Sequence, residues 1–232
     1  MGPDQKLTLS RLARIPEIEE HFFLTGGTAL AVFYLGHRTS EDLDFFSTET
    51  LDLSEFLHRI SLAFPEEISS TRSADLFASI LIRGVKVDFV CDQSSRPGPR
   101  PHAILGGEAI LSVDTVENIA SNKLTAMVSR TEIKDFIDFY FIGRSYPMIE
   151  LDSLLLEAQS KERLFEDPSS AAFQIESAAA SLRKALGQDP AALGKKEGID
   201  APGMIKPIDL KEFWRFFEDL AGRLYRRGAE NF

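Results

Sequence analysis

The chain has 232 residues, of which 44% are hydrophobic and 27% charged, proportions that are typical of a globular protein with a sizeable core. Its formal net charge of −10 argues against a basic surface that grips a long nucleic acid. No long apolar run is free of charges, so we expect neither a transmembrane helix nor contact with a membrane.

Short apolar segments separated by turn residues make up the first fifty positions. Leu9, Leu12, Ile15 and Ile18 follow the spacing of one helix face. The expected elements in chain order are a helix over 7–21, a buried strand over 21–25, a turn at Gly26-Gly27, a buried helix over 28–35 and a strand over 42–46.

The next segment predicts one helix and a hairpin. Asp52 with Glu55 forms a capping-box pattern, and the helix that it begins should end at Pro65. Apolar runs over 78–82 and 85–90 flank Arg83-Gly84, which is typical of a β-hairpin turn. Residues 93–101 are rich in Ser, Pro, Gly and Arg and predict a loop.

Helical patterns dominate from Asp114 onward. Asp114 and Glu117 form a second capping-box pattern, and another helix is expected from Glu132 through Phe141. The remainder predicts helices, with loops near 166–170 and 187–208. We therefore expect an α+β fold, with a core over 1–110 and a helical domain over 111–232.

Asp42, Asp44 and Asp88 are the candidate metal ligands. Residues i and i+2 of a strand point to the same side, so Asp42 and Asp44 should project together. Two adjacent carboxylates repel each other unless a cation lies between them, one is protonated, or both are in water. Mg²⁺ prefers such oxygen ligands, and Asp88, within a later apolar strand, would add a third carboxylate. Three carboxylates can hold two metal ions for an in-line phosphoryl displacement.

Gly26-Gly27-Thr28 is the candidate phosphate-binding turn. A glycine turn between a strand and a helix exposes backbone N–H groups to a phosphate, and the hydroxyl of Thr28 could add a hydrogen bond. Taken singly, a Gly-Gly pair is more often a structural turn and an Asp-x-Asp pair more often solvated or capping. Their order along the chain favours the functional interpretation.

Basic residues supply the positive charge that a triphosphate needs. Lys123 and Arg130 lie seven positions apart and share a helix face, with Asp135 opening the next helix. A solvated face with ordinary ion pairs is the alternative. Arg38 and Ser40, just before the carboxylates, could also reach phosphate.

Three blocks of sequence carry a resemblance to a known family. They are Leu24 to Leu30, His37 to Phe46, and the pattern Lys-x6-Arg-x4-Asp-x2-Asp from Lys123 to Asp138. Together they resemble the AbiEii/AbiGii toxin family, within the nucleotidyltransferases related to DNA polymerase β. The resemblance implies a polymerase β-type core with a mixed sheet, followed by a helical half that contributes Lys123 and Asp135 to the active site.

The resemblance also implies an activity. It is the Mg²⁺-dependent transfer of a nucleoside monophosphate from an NTP to an acceptor hydroxyl, with RNA, and the tRNA 3′ end in particular, as acceptor. Such an enzyme would be the toxin of a toxin–antitoxin or phage-defence system, with an antitoxin as partner. The lone Cys91 and the absence of a signal-like segment fit a cytoplasmic location. The alternatives are a small-molecule nucleotidyltransferase of the antibiotic-modifying type and a non-catalytic nucleotide-binding module.

The candidate residues group by role. The catalytic set is Asp42, Asp44, Lys123 and Asp135; the nucleotide-binding set is Gly26, Gly27, Thr28, Arg38, Ser40, Lys123 and Arg130; and the metal ligands are Asp42, Asp44 and Asp88.

Overall fold

The computed structural model describes residues 1–107, 109–161, 165–187, 201 and 203–230. They form two compact units, Met1–Ile119 and Ala120–Phe232, and the boundary falls within one helix. The division at residue 110 that we expected from the sequence stays a prediction. Among the helices described, none has the length and apolarity to cross a membrane.

The first unit contains all seven described strands and four short helices. The strands are β1 Phe23–Thr25, β2 Leu43–Ser47, β3 Ile68–Ala74, β4 Phe77–Ile82, β5 Val85–Cys91, β6 His102–Leu105 and β7 Ala109–Ser112. The helices are α1 Pro3–Leu12, α2 Pro16–His21, α3 Gly26–Ala29, which continues as a π-helix over Leu30–Leu35, and α4 Leu53–Ala63. Helix α5, Val116–Ser129, crosses from this unit into the second.

A five-stranded mixed sheet organises the first unit. Its strand order is β1-β2-β5-β4-β3, with β2 and β5 parallel and the other neighbours antiparallel. The expected α+β fold with a mixed sheet followed by helices is thereby confirmed. The expected hairpin is confirmed too, because β4 and β5 pair around Arg83 and Gly84, both with positive φ. Strands β6 and β7 form a separate two-stranded sheet.

The sheet buries one face in an aromatic core. Along β2 and β5 the side chains alternate, so that Phe45 and Phe89 point inward and stack at 5.4 Å between ring centroids. Phe22 and Phe56, on the helical side, complete the cluster. Asp44 alternates with these inward residues, so it lies on the opposite face of the sheet.

Two helix starts differ from the sequence expectation. The helix expected over 7–21 is two helices, because Pro16 begins α2 and the chain turns at Ala13 to Ile15. The second capping box is also wrong. Thr115 accepts the backbone N–H of Asn118 at 3.2 Å and is the N-cap of α5, whereas Asp114 is buried. By contrast, Asp52 caps α4 as predicted, accepting from Ser54 and Glu55.

The second unit consists of helices. After α5 come α6 Ile133–Ser145, α7 Leu151–Lys161, α8 Pro168–Ala185 and α9 Leu210–Glu230. Aromatic side chains of α6 and α9 form its core, including Phe136 against Phe217 and Tyr140 against Phe213. The loop expected over 166–170 is shorter, because α8 begins at Pro168. Of the loop expected over 187–208, positions 188–200 and 202 lie outside the described residues.

Candidate active site

Parallel pairing of β2 and β5 brings two of the predicted carboxylates side by side. Asp44 is the register partner of Asp88, and Thr25 on β1 is the register partner of Asp44 on its other side. Ser79 on β4 continues this row beyond Asp88. Because register partners in a sheet project to the same face, the row carries the acidic groups along one surface.

Gly26 lies directly against the carboxylate of Asp44. Its φ of +68° favours glycine, and a Cβ atom placed there would be 2.4 Å from Oδ2 of Asp44. We call the segment from Thr25 to Thr28 the glycine corner. The structure therefore joins the predicted phosphate-binding turn to the predicted metal ligand at van der Waals distance.

Arg38 and Ser40 cover the second glycine of the corner. A Cβ atom on Gly27 would be 2.5 Å from Nη2 of Arg38 and 3.0 Å from Oγ of Ser40. A guanidinium, a hydroxyl and the backbone of Gly27 thus meet at one place, and groups of all three kinds can bind phosphate oxygens. The structure brings Gly27, Arg38 and Ser40 together as the sequence hypothesis requires.

The hydroxyl of Thr28 turns inward. Thr28 is fully buried and donates to the main-chain carbonyl of Asp42 at 2.5 Å. Gln5 of α1 donates to the carbonyls of Ser40 and Asp42, at 2.9 and 3.3 Å. These bonds position the segment that carries Asp42. The sequence reasoning missed Gln5, because no local pattern links it to a segment more than thirty positions away.

Asp88 is engaged by two neighbours. Oδ1 accepts the hydroxyl of Ser79 at 2.6 Å, and Oδ2 lies 2.5 Å from Nζ of Lys86. Burial lowers the pKa of Lys86, but the charges of Asp88, Asp42 and Asp44 outweigh it and raise the pKa above its ordinary value. Lys86 is a second residue that the sequence reasoning missed, although Lys-x-Asp in a strand puts both groups on one face.

The donor chemistry of Asp42 and Asp44 fits Mg²⁺, since both supply hard carboxylate oxygens, and the carboxylate of Asp44 lies against Gly26. Among the described residues, no three His, Cys, Asp or Glu side chains are grouped closely enough to hold a metal ion. Asp88 already binds Ser79 and Lys86, so its predicted role as a ligand stays a prediction.

Asp114 connects the start of α5 to the glycine corner. Oδ2 accepts the hydroxyl of Thr25 at 2.6 Å and the amide of Asn118 at 2.7 Å. Nε of Arg100 lies 3.5 Å from Oδ1, and its guanidinium stacks on Phe23 at 3.5 Å from the ring centroid. Burial raises the pKa of Asp114, against the hydrogen bonds and the Arg100 charge, which lower it.

The second unit has its own buried charged cluster. Nζ of Lys123 lies 2.8 Å from Asp135 and 2.7 Å from Asp138. Arg130 binds both oxygens of Asp135, at 2.6 and 2.7 Å. The predicted shared face of Lys123 and Arg130 is therefore present, and both cations meet at Asp135. Lys134, which lies next to Asp135 in the chain, is outside this cluster and pairs with Glu132 at the surface.

Opposing effects act on the ionisation of this cluster. Burial lowers the pKa of Lys123, but the charges of Asp138 and Asp135 outweigh it and raise the pKa. Burial raises the pKa of Asp135, but Arg130 and Lys123 outweigh it and hold the pKa below its ordinary value. Lys123 and Asp135 are thus ionised at neutral pH and face each other as an ion pair.

The sequence matches a known protein family and a known relative. The family described as nucleotidyl transferase AbiEii toxin, type IV toxin–antitoxin system, matches residues 8–218. An uncharacterized protein of Aquifex aeolicus, aq_aa25, is 28% identical over 144 residues, which are 58% of this chain and 64% of that protein. The match therefore spans less than two thirds of that relative.

Two solved structures share the fold. JHP933 from Helicobacter pylori is 19% identical, with a TM-score of 0.55 over 98% of this chain and 93% of that one. MenT4, a nucleotidyltransferase toxin from Mycobacterium tuberculosis, is 13% identical, with a TM-score of 0.55 over 95% of this chain and 82% of that one. Because the family model matches almost the whole sequence, the conclusion is that this chain belongs to the nucleotidyl transferase AbiEii toxin family.

Proposed function

We propose that the protein transfers a nucleoside monophosphate from an NTP to an acceptor hydroxyl of RNA, with Mg²⁺ as cofactor. The attacking hydroxyl forms a bond to the α-phosphorus, and the bond to the β-phosphate oxygen breaks, so that pyrophosphate leaves. Reactions of this class depend on positioning and charge neutralisation. The contact between Gly26 and the Asp44 carboxylate carries the proposal, because it joins a phosphate-binding turn to a metal-binding group.

Each group has a role in this proposal. Mg²⁺ held by Asp42 and Asp44 would neutralise triphosphate charge and polarise the transferred phosphoryl group. The backbone of Gly26 and Gly27 would donate to phosphate oxygens, and Arg38 would contribute a cation next to it.

The helical unit supplies residues that the family resemblance marks as necessary. Lys123 and Asp135 form a buried ion pair, and Arg130, whose side chain is 47% exposed, binds Asp135 from the surface. We propose that nucleotide transfer requires Lys123 and Asp135, and that Arg130 acts with them in nucleotide binding. This assignment rests on the motif match and on the burial of Lys123, Asp135 and Asp138, since the burial of charged groups costs free energy that their pairing must offset.

The biological setting is proposed on the family description. The protein would act in the cytoplasm as the toxin of a toxin–antitoxin pair. Its acceptor would be the 3′ end of tRNA, and an antitoxin protein would be its partner. The acidic net charge favours a second acceptor class, a small molecule with a hydroxyl group, over a long polynucleotide. Four labelled NTPs incubated with total tRNA or with aminoglycosides distinguish the two.

The central test is Asp44→Asn, with Asp52→Asn as the matched control. Asp52 is an exposed carboxylate of the same unit whose capping role asparagine can also fill. We expect Asp44→Asn to lower the transfer rate by about a hundredfold or more, with the fold retained by circular dichroism, while Asp52→Asn keeps the rate. Transfer at the wild-type rate by Asp44→Asn would remove this carboxylate from the mechanism.

A further inference from the structure

We propose that Asp114 is a positioning residue, which acts through Thr25 to hold the glycine corner in the shape that receives the triphosphate. The inference rests on the proposed function, since it assigns a new role within the same site. Asp114 was expected only to cap a helix, and the structure gives that task to Thr115.

The polar groups of Asp114 bind residues of β1, of the π-helix and of the start of α5. Its backbone N–H donates to Leu24 at 2.9 Å, and its carbonyl accepts the hydroxyl of Tyr34 at 2.6 Å. Its carboxylate accepts from Thr25, Asn118 and the backbone of Thr115. Asp114 thus binds the strand before the corner and the π-helix after it.

The hydrogen bond to Thr25 is the one that links Asp114 to the glycine corner. Thr25 is extended, with φ −130° and ψ −162°, and the chain reverses at the next residue, where Gly26 has φ +68°. Thr25 is also the register partner of Asp44. A shift of Thr25 therefore moves both the backbone N–H groups of the corner and the surface that contacts the Asp44 carboxylate.

A purely structural role explains Asp114 poorly. Its side chain is only 1% exposed. The burial of a carboxylate costs free energy unless hydrogen bonds and an opposite charge compensate for the lost hydration. The protein provides that compensation through Thr25, Asn118 and Arg100. The carboxylate thus binds both the start of α5 and Thr25 of the corner, and the bond to Thr25 is the one through which it can hold the corner.

The experiment compares Thr25→Val and Asp114→Asn with Asp52→Ala, a control that removes a helix cap of the same unit far from the corner in sequence. Three quantities are measured: amide hydrogen exchange at Gly26, Gly27 and Thr28 by NMR, affinity for fluorescent NTP analogues, and kcat and KM for transfer. Thr25→Ser tests rescue by a side chain that keeps the hydroxyl.

We expect Thr25→Val and Asp114→Asn to accelerate exchange at the corner and to lower kcat about tenfold, equal to about 1.4 kcal/mol of transition-state stabilisation. The double variant should lose little more than Thr25→Val alone, because both changes act on the hydrogen bond between Thr25 and Asp114, which Thr25→Val removes and Asp114→Asn weakens. Thr25→Ser should restore both quantities. The Asp52→Ala control should lower stability and leave kcat and corner exchange as in wild type.

The outcomes separate this inference from the proposed function. Corner exchange and NTP affinity equal to wild type in both Thr25→Val and Asp114→Asn would overturn the positioning role, even if the enzyme transfers nucleotide. A wild-type protein that transfers nothing, with Thr25→Val still loosening the corner and weakening NTP binding, would support the positioning role and refute the transfer reaction. Thr25→Val keeps the test valid if Asp114→Asn fails to fold.

Discussion

Replacing Gly26 by alanine tests the contact on which the site depends. A left-handed backbone costs a non-glycine residue about 1–2 kcal/mol. In addition, the new Cβ would lie 2.4 Å from Oδ2 of Asp44, where ordinary contact begins at 3.4 Å. The carboxylate must therefore move by about 1 Å, and a displacement of that size can cost about a hundredfold in rate.

Gly36 provides a matched control for this substitution. It has φ +57° in the same unit, and a Cβ atom there would meet nothing within 4 Å. Gly36→Ala should therefore lose only the backbone term, about 1–2 kcal/mol of unfolding free energy, and keep its activity. Urea unfolding gives the stabilities, and transfer from labelled NTP gives the rates.

The comparison of the two variants decides the question. We expect Gly26→Ala to lose about a hundredfold in transfer rate beyond any loss in Gly36→Ala. If both variants transfer nucleotide as fast as the wild type, the contact between Gly26 and Asp44 has no catalytic importance. If Gly36→Ala loses as much activity as Gly26→Ala, backbone strain rather than the displaced carboxylate explains the effect.

The charged cluster of the helical unit yields two further predictions. Lys123→Met leaves Asp135 and Asp138 buried without their shared cation, so the unfolding free energy should fall by about 3–5 kcal/mol in urea titrations; an unchanged value would contradict the buried ion pairs. Because the pKa of Asp135 is held low in the folded state, its stabilising contribution is present above the unfolded pKa of about 3.9 and is lost as pH falls through the folded pKa. The stability difference between wild type and Asp135→Asn should therefore be constant near neutral pH and shrink below about pH 4; a difference independent of pH would refute the assignment.

Local sequence patterns determined much of the fold. The alternation along β2 and β5 identified inward aromatic residues and outward carboxylates, because strand periodicity depends only on neighbouring positions. The turn at Arg83-Gly84 and the cap at Asp52 were recognised for the same reason, since each requires only residues within a few positions.

Where local signals compete, the sequence predicted less well. Thr115 and Asp114 are adjacent and either can cap a helix, and only the tertiary structure decided between them. Thr25 and Arg100 bind the carboxylate of Asp114 in the interior. Both residues are separated from Asp114 along the chain and reach it only when the chain folds. A pattern of neighbouring residues contains no information about such partners.

For the candidate site, the sequence determined which chemical groups are present, and the tertiary structure decided which of them touch. The motif order named Gly26 and Asp44, but the parallel pairing of β2 with β5 set Asp44 beside Asp88, and chain reversal at the glycine corner set Gly26 against Asp44. Gln5 entered the site only through packing, whereas the position of Lys86 two residues before Asp88 on one strand was a local signal that the sequence reasoning missed. The physical reason is that hydrogen bonds and charge pairs act over a few ångströms of space, whatever the distance along the chain.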